Sequence, residues 1–460
     1  MKMGSYEHSV TLDIKRCTGC TTCIRHCPTE AIRIRDGHAK IDSSRCIDCG
    51  VCIQVCPHQA KRPTFLPFGD FTDGRYADKF KIALPAPTLY GQFSGVDDID
   101  YIIEGLYKIG FDDVCEVAAA AEMVSAYTRM YMSTPGIKKP VISSACPVIV
   151  RLITLRFPFL KDNVLPMLPP MEIAARKAKE RAKKRHPELR DEDIVTCFIS
   201  PCPAKVSYVK NGFANYKSEV DCVVSVADVY FSLIHVLKHI ETPKISCEAG
   251  ALGVGWASSG GESTAIFNDK YLATDGIENV VRVLDQIENG NIQGLEFIEL
   301  NACPGGCVGG SMTVENPFIA KARLLSLRRY LPISQNQPSR GESYIPENYF
   351  FSSLPADTPF TRLSANLAES MKMMAEIESI RKTLPGIDCG ACGAPTCRAF
   401  AEDLVRGTAE KRSCVVLMRE CVLKKLGIME AAEVESAGRP SNLDEIIGRK
   451  DSGNQRNDQV

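Results

Sequence analysis

The sequence predicts a multidomain protein of mixed α/β and α+β class. Three observations along the 460 residues support this prediction. A cysteine pattern occurs twice near the N-terminus, strand-like and helix-like runs alternate through the middle, and a C-terminal helix precedes four grouped cysteines. The alternation is typical of parallel sheets covered by helices. We therefore expect a small cluster-binding domain, then a domain of parallel sheets with helices, then a small helical domain.

Composition limits the classes of function. The chain carries 55 basic and 56 acidic residues, so no bulk charge favours a nucleic-acid or membrane partner. No apolar run reaches the roughly 18 residues of a membrane span, and the first residues lack the apolar core of a signal peptide. We expect a soluble, cytoplasmic protein whose 21 cysteines mainly ligate metal and do not form a disulfide framework.

The first 62 residues carry one cysteine spacing twice, and each run ends in Cys-Pro. The runs are Cys17, Cys20, Cys23, Cys27 and Cys46, Cys49, Cys52, Cys56. This is the bacterial two-cluster ferredoxin pattern, in which the fourth cysteine of each run ligates the other cluster. One cubane would then be held by Cys17, Cys20, Cys23 and Cys56, and the other by Cys46, Cys49, Cys52 and Cys27. Zinc knuckles are the alternative, which the spacing disfavours.

The alternating region follows a Pro/Gly/Phe-rich stretch, residues 62–74, that we expect to be a linker. We predict strands at residues 81–85, 113–117, 141–145, 194–199 and 295–300, and helices at 99–109, 118–132 and 171–186. The last helix is strongly basic. Such a charge run is usually a solvated face, and the alternative is a docking patch for an acidic electron carrier.

Three of these strands each lead into a cysteine. Cys146 and Cys202 follow two of them, and Cys303 and Cys307 lie in a glycine-rich loop after the third. Parallel sheets place ligands at the carboxyl ends of their strands, and four thiolates are what a cubane iron–sulfur cluster needs. Lys205, three residues past Cys202, can reach the same region and donate hydrogen bonds to anionic ligands of a metal.

The C-terminal part is predicted to be a linker, a helix and one more cluster site. The helix, residues 363–384, carries an apolar stripe, formed by Leu367, Met371, Met374, Ile377 and Ile380. The cluster ligands would be Cys389, Cys392, Cys397 and Cys414. The expected domains are residues 1–62, 79–331 and 361–425, with a linker at 332–360 and a polar, disordered tail at 434–460.

The cysteine loops resemble those of iron-only (FeFe) hydrogenases. The three signature segments are residues 143–147, 200–205 and 302–307. The resemblance implies a two-lobed catalytic domain with an H-cluster, in which a cubane on Cys146, Cys202, Cys303 and Cys307 is joined through Cys307 to a two-iron subsite carrying CO, cyanide and a dithiolate bridge. It also implies that Lys205 donates to a cyanide ligand and that the cofactor is lined by Ser144, Pro201, Ala204, Ser258, Gly305 and Gly306. The C-terminal group resembles the Fes-type 4Fe–4S domain, and the resulting domain order is similar to that of the sensory-type branch.

The departures from the family pattern concern proton delivery. Where prototypical members carry a proton-shuttling cysteine, this chain has Ala145. Ser125 and Thr128 stand at the positions of the relay glutamates. Other departures from expected relay or flanking residues are Leu168, Ser200, Tyr208 and Asn301.

Three functions follow as expectations. The first is a low-turnover FeFe hydrogenase that exchanges electrons with a ferredoxin-type or other redox protein through three accessory 4Fe–4S clusters. A variant of this function is hydrogen sensing, in which the protein acts on a signalling partner. The second is a non-catalytic redox relay or iron–sulfur assembly protein that lacks the two-iron subsite. The third, a high-turnover hydrogenase, is disfavoured by Ala145.

Overall fold

The computed structural model describes residues 6–212, 216–339, 344–355, 363–364 and 366–426. The chain forms two compact units, and neither is a continuous stretch of sequence. The first comprises Met1–Leu12, Ser43–Gln54 and Lys61–Pro359, and the second comprises Asp13–Asp42, Val55–Ala60 and Phe360–Val460. The tail expected at 434–460 lies outside the described residues.

The strands are β1 (Val10–Leu12), β2 (Ile32–Arg35), β3 (His38–Ile41), β4 (Lys61–Pro63), β5 (Phe80–Pro85), β6 (Asp113–Val114), β7 (Val141–Ile142), β8 (Ile194–Ser200), β9 (Cys222–Ser225), β10 (Tyr271–Asp275) and β11 (Phe297–Asn301). The α-helices are α1 (Thr22–Arg25), α2 (Val51–Gln54), α3 (Phe68–Asp73), α4 (Ile99–Lys108), α5 (Val117–Met132), α6 (Pro147–Arg156), α7 (Pro170–Arg185), α8 (Pro203–Asn211), α9 (Val226–Leu237), α10 (Ala251–Gly255), α11 (Gly261–Ile266), α12 (Ile277–Glu288), α13 (Pro317–Arg328), α14 (Leu367–Thr383), α15 (Cys397–Val405) and α16 (Val415–Lys425).

The first unit contains two parallel sheets, which confirms the predicted fold class. One has the strand order β6-β5-β8-β9 and the other has the order β10-β11-β7. Every residue of β8 is buried, as expected for a parallel strand covered on both faces. Because β7 and β11 belong to one sheet and β8 to the other, the three cysteine-bearing loops leave the carboxyl ends of strands in two different sheets.

Helix α5 packs against α7, α10 and α11. Its residues from Val117 to Thr128 are all buried, and the run of four alanines from Ala118 to Ala121 lets neighbouring helices approach closely. Gly253 of α10 shows this, because a Cβ there would lie 2.1 Å from the carbonyl oxygen of Ala118. The helix therefore forms a dense wall beside the predicted site.

Two segments expected to be linkers are partly built into the first unit. Within residues 62–74, Phe68 and Phe71 are buried and their rings pack on each other and on Phe111. The burial of these rings outweighs the Pro/Gly content, which indicated a loop. Within residues 332–360, Tyr349 is buried, and its ring centroid lies 4.6 Å from that of Tyr127.

The basic face of α7 is largely engaged within its own unit. Arg181 pairs with Asp113 and with Glu248, and Lys179 pairs with Asp221 at 3.2 Å. These contacts use part of the positive charge that a docking patch for an acidic carrier would present.

The second unit joins an N-terminal hairpin, β2–β3, to the C-terminal helices. Its apolar core is formed by residues from the last turns of α14, from α15 and from α16. The predicted stripe on α14 is wrong at its N-terminal end, where Leu367 and Met371 are 77% and 67% exposed. Only the C-terminal half of the helix, from Ile377 onward, reaches this core. No helix among the described residues is long and apolar enough to cross a membrane.

Candidate metal centre

The four cysteines of the three strand-end loops line one cavity in the first unit, together with Cys49. Cys146 immediately precedes α6 and Cys202 immediately precedes α8, while Cys303 and Cys307 belong to the loop after β11. The four residues are partly accessible, as expected of side chains that face a cavity. They are also electrostatic neighbours, since a charge on any of the other three would raise the pKa of Cys303.

Burial makes three of these thiols, those of Cys202, Cys303 and Cys307, poor acids without a cation. Desolvation raises the pKa of Cys307 to about 12, and the nearby ammonium of Lys205 only partly offsets this effect. Burial likewise raises the pKa of Cys202 and Cys303. Thiolate ligands are stable in such a site when a metal neutralises them, so the donor set fits an iron–sulfur cluster.

The glycine loop leaves the backbone close to this cavity. Gly305 and Gly306 have φ of 77° and 95°, which favours glycine. A Cβ on Gly306 would lie 2.4 Å from the backbone nitrogen of Ser259. The loop therefore needs glycine both for its conformation and for its fit against the neighbouring turn.

The segment around Cys49 is held against the same loop. Cys49 lines the cavity, and its charge would raise the pKa of Cys303. Gln54 donates from Nε2 to the carbonyl oxygen of Gly309 at 2.9 Å. A Cβ on Gly50 would lie 2.4 Å from Oγ of Ser311. The second N-terminal cysteine run therefore reaches the cavity through Cys49. This proximity suits electron transfer between a cluster on that run and one in the cavity.

Lys205 and Ala145 lie together in the cavity wall. The Lys205 ammonium donates to the Ala145 carbonyl oxygen at 3.4 Å, and its Nζ lies 5.8 Å from the ring centroid of Phe198. Two acidic side chains, Glu262 and Glu299, also line this cavity. The ammonium is available to donate to an anionic ligand in the cavity.

The predicted cofactor-lining residues are placed unevenly. Pro201, Lys205 and Gly306 line the cavity. The other predicted residues are not among those that line it, namely Ser144, Ala204, Ser258 and Gly305. Ser144 donates its hydroxyl to the carbonyl oxygen of Met167 at 2.7 Å.

The positions of the missing proton relay hold side chains engaged elsewhere. Ser125 and Thr128 donate their hydroxyls to the helix carbonyls of Ala121 and Val124. Leu168 is buried and apolar. None of these three side chains lines the cavity in the part of the chain that the structure describes.

Sequence reasoning missed a pair of buried glutamates in the cavity wall. Glu262, from the first turn of α11, accepts from the Ser143 hydroxyl at 2.6 Å. Glu299, from β11, accepts from the backbone nitrogens of Gly260 and Ser263 and from the Asn301 amide. Burial and then the charge of Glu299 raise the pKa of Glu262 to about 8. Burial raises the pKa of Glu299 as well, and the hydrogen bonds that it accepts lower it again. We infer that Glu299 is the member of the pair that keeps the negative charge and that Glu262 keeps the proton.

Thr88 is a second residue that no motif indicated. It is fully buried and lines the cavity, and its hydroxyl has no hydrogen-bond partner among the described residues. A buried hydroxyl without a partner costs free energy, so it fits a polar group bound in the cavity. Only its place after β5, beside the other strand ends, could have suggested it.

The other cysteine groups lie in settings that suit cluster ligands. The sulfurs of Cys27 and Cys56 accept from the backbone nitrogens of Ala31 and Ala60 at 3.3 and 3.2 Å. Such contacts tune iron–sulfur sites. In the second unit, a small cavity is lined by Cys389, Cys392, Cys397 and Cys414. Cys17, Cys20, Cys23 and Cys56 also belong to that unit, whereas Cys46, Cys49 and Cys52 belong to the first.

No set of three or more His, Cys, Asp or Glu side chains in the described ranges closes tightly enough for a single metal ion. This is expected of cubane sites, because each thiolate binds a different iron and the four sulfurs stand further apart than around one zinc ion.

Family models match three parts of the chain. The model described as the iron only hydrogenase large subunit, C-terminal domain, matches residues 79–268 and 261–311, just over half of the chain. A 4Fe-4S dicluster domain matches residues 9–57, and an Fe-S cluster model matches residues 384–416.

Curated relatives match only short segments. One subunit of the ion-translocating oxidoreductase complex of Rhodobacter capsulatus is 32% identical over 71 residues, which are 15% of this chain and 38% of that protein. The subunit of the same name from Cereibacter sphaeroides is 44% identical over 54 residues, covering 12% and 29%. The chain thus spans well under half the length of these relatives.

Solved structures of low identity are also similar. A FeFe-hydrogenase structure concerned with oxygen inactivation through the 2Fe subcluster is 16% identical, with a TM-score of 0.47, covering 61% of this chain and 95% of that one. A variant FeFe-hydrogenase from Chlamydomonas reinhardtii is 16% identical, with a TM-score of 0.42, covering 55% and 84%.

Proposed function

The chain belongs to the iron-only hydrogenase family, and we propose that it interconverts hydrogen with protons and electrons at an H-cluster held in the cavity. Its matched domains make iron–sulfur clusters its cofactors. The observation that carries the proposal is that the Lys205 side chain lines the same cavity as the thiols of Cys146, Cys202, Cys303 and Cys307. A cubane alone needs only the thiols, whereas an anionic group beside it requires a donor.

Different residues would hold the two parts of the cofactor. The cubane would be held by Cys146, Cys202, Cys303 and Cys307, and Cys307 would also bridge to the two-iron subsite. Lys205 and the unpartnered Thr88 hydroxyl would donate to polar ligands of that subsite. When bound, the two-iron subsite supplies the metal at which hydrogen is formed or split.

Proton handling would depend on Glu262 in place of the missing cysteine. The methyl group of Ala145 has no proton to give, whereas Glu262 lines the same cavity with a pKa of about 8. A carboxyl group of this pKa holds a proton near neutral pH and can release it. The Ser143 hydroxyl orients it, and Glu299 offers a second site for the proton. We expect slower turnover than in prototypical members, because this chain has Ala145 at the position of their proton-shuttling cysteine.

The accessory clusters would connect this site to redox partners. We propose three 4Fe–4S clusters besides the H-cluster and a ferredoxin-type or other redox protein as electron carrier. With low turnover, hydrogen sensing through a signalling partner is a role consistent with Ala145. Ala145 also favours one second candidate, a redox relay or iron–sulfur assembly protein that never carries the two-iron subsite.

Infrared spectroscopy distinguishes these candidates. The full chain would be reconstituted with iron and sulfide without oxygen, then incubated with a synthetic two-iron cofactor and freed of excess. CO and cyanide stretching bands that stay with the protein are expected. The matched control is Cys115→Ala, which removes a buried cysteine that is not a predicted ligand and should keep the bands. Cubane-loaded protein that retains no bands would refute the hydrogenase proposal and favour the relay.

A further inference from the structure

The second unit packs the C-terminal cysteine loop onto the first N-terminal cysteine run. Arg25, which lies between Cys23 and Cys27 in sequence, donates from Nη2 to the carbonyl oxygen of Cys389 at 2.9 Å. The backbone nitrogen of Ile34 donates to the carbonyl oxygen of Gly393 at 2.8 Å. The first contact joins the first N-terminal cysteine run to the C-terminal cysteine loop, and the second joins strand β2, which follows that run, to the same loop.

Glycines in the C-terminal cysteine loop allow it to lie close to the N-terminal segment. Gly390 and Gly393 flank Cys392 in the loop and have φ of 76° and 81°. A Cβ on Gly393 would lie 2.2 Å from the carbonyl oxygen of Ile34, and one on Gly390 would lie 3.4 Å from Cδ1 of Ile24. Any side chain at residue 393 would therefore push the two cysteine-bearing segments apart.

A buried charge cluster fixes the same arrangement. Asp403, on the helix that begins at Cys397, accepts from Arg33 at 2.7 Å and from Arg35 at 2.6 Å. Its side chain is only 9% exposed. Thr396 adds a hydrogen bond to Glu30 at 3.1 Å. A buried carboxylate with two arginine donors specifies one relative position of the hairpin and the helix, because removal of one partner leaves an unpaired charge.

We propose that the C-terminal cubane is the outer terminal of the electron relay, and that it exchanges electrons directly with the cubane of Cys17, Cys20, Cys23 and Cys56. One electron passes from the reduced C-terminal cubane to the oxidised N-terminal cubane, so the first is oxidised and the second reduced, with no bond or proton transferred. The initial donor is a low-potential one-electron carrier protein.

The outer side of the C-terminal site is open to such a carrier. Ile387 and Val415 line the same small cavity as the four cysteines and are 60% and 56% exposed. The onward step follows from the N-terminal sequence pattern, in which each run lends its fourth cysteine to the other cluster. Arg25 is a positioning residue in this relay, since its cation contacts the backbone of Cys389 and Arg25 lies two residues from Cys23 in sequence.

The test is electron paramagnetic resonance of the full chain, reconstituted with iron and sulfide, reduced, and free of any two-iron subsite. The signal of the C-terminal cubane should show spin–spin broadening and fast relaxation caused by a neighbouring reduced cluster. Cys20→Ala should remove this interaction, whereas Cys49→Ala, the same position of the other run, should leave it. A C-terminal signal without the interaction, or one unaffected by Cys20→Ala, would overturn the proposal.

A charge variant keeps the proposal testable if a cysteine variant does not fold. Arg25→Gln removes a cation beside Cys389, so the midpoint potential of the C-terminal cubane should shift to more negative values. Arg16→Gln is the control, because Arg16 adjoins Cys17 but is exposed and pairs only loosely with Asp13, at 3.7 Å. Equal potentials in the Arg25 variant and the unmodified protein would contradict the contact. Because no hydrogen chemistry is measured, failure here is distinguishable from failure of the proposed function.

Discussion

Glu262 should lower the stability of the protein as the pH rises, and Glu262→Gln should remove that loss. The pKa of this buried carboxyl is raised from 4.5 to about 8, so the folded state holds the proton more tightly than the unfolded state. Its contribution to stability is fully present below pH 4.5, declines as the pH rises, and is gone above about 8. The difference between these pKa values corresponds to about 5 kcal/mol.

Glutamine resembles the protonated carboxyl and can accept the same hydrogen bond from Ser143, but it never ionises. At pH 5 the variant and the unmodified protein should therefore differ little. At pH 8 the variant should be the more stable of the two by several kcal/mol. The assay is denaturant unfolding of the cubane-loaded chain at both pH values without oxygen. A stability difference that is the same at pH 5 and pH 8 would refute the assignment of the raised pKa.

The same variant should lose activity while it gains stability. A positioned acid–base group is typically worth ~10²–10⁴ in rate, and hydrogen evolution at matched cofactor loading should fall toward the lower end of that range because Glu299 remains. Glu116→Gln is the control: Glu116 is also buried, with a pKa raised to about 7, but it contacts Tyr90 and does not line the cavity. Unchanged turnover in Glu262→Gln would mean that protons reach the site by another route.

Four further outcomes are expected. The reconstituted chain should bind roughly sixteen irons as four cubanes, and Cys389→Ala should lose about four of them; an unchanged iron assay would exclude a C-terminal cluster. Cys307→Ala should abolish the CO and cyanide bands, and normal infrared spectra would refute its bridging role. Ala145→Cys should raise hydrogen evolution only modestly, and a rate like that of prototypical enzymes would show that one thiol restores the whole relay. Asp403→Ala should destabilise the second unit by about 3–5 kcal/mol through its unpaired arginines, and unaltered denaturant unfolding would contradict the packing described for that carboxylate.

Most predictions of the fold and of the cluster sites rest on local sequence patterns. The family assignment and the fold class are confirmed. Cysteine spacing is informative because the ligands must fit an inorganic cluster of fixed shape, and an apolar run such as β8 is informative because it indicates burial on both faces of a sheet. The roles of individual cysteines remain predictions. The spacing argument works because the first three ligands of each N-terminal run must reach one cluster over a few residues of backbone.

Features made by distant residues could not be predicted in this way. Glu262 and Glu299 come from a short helix and a strand, and neither has a local signal that distinguishes it from an exposed glutamate. Phe68 was misjudged because prolines and glycines beside it indicated a loop, while the ring it packs against lies on another element. Leu367 was misjudged because helical periodicity shows an apolar stripe but not how far the core extends along it.

The interleaved composition of the two units has a consequence for the order in which the chain is made. Arg33 and Arg35 leave the ribosome early, but Asp403, to which both donate, is synthesised about 370 residues later. Until then the hairpin carries two cations with no carboxylate between them, and the first cysteine run lacks the loop that will cover it. Final packing around the earliest cysteines therefore waits for almost the whole of translation, and iron inserted before that point would occupy a more exposed site than in the finished protein.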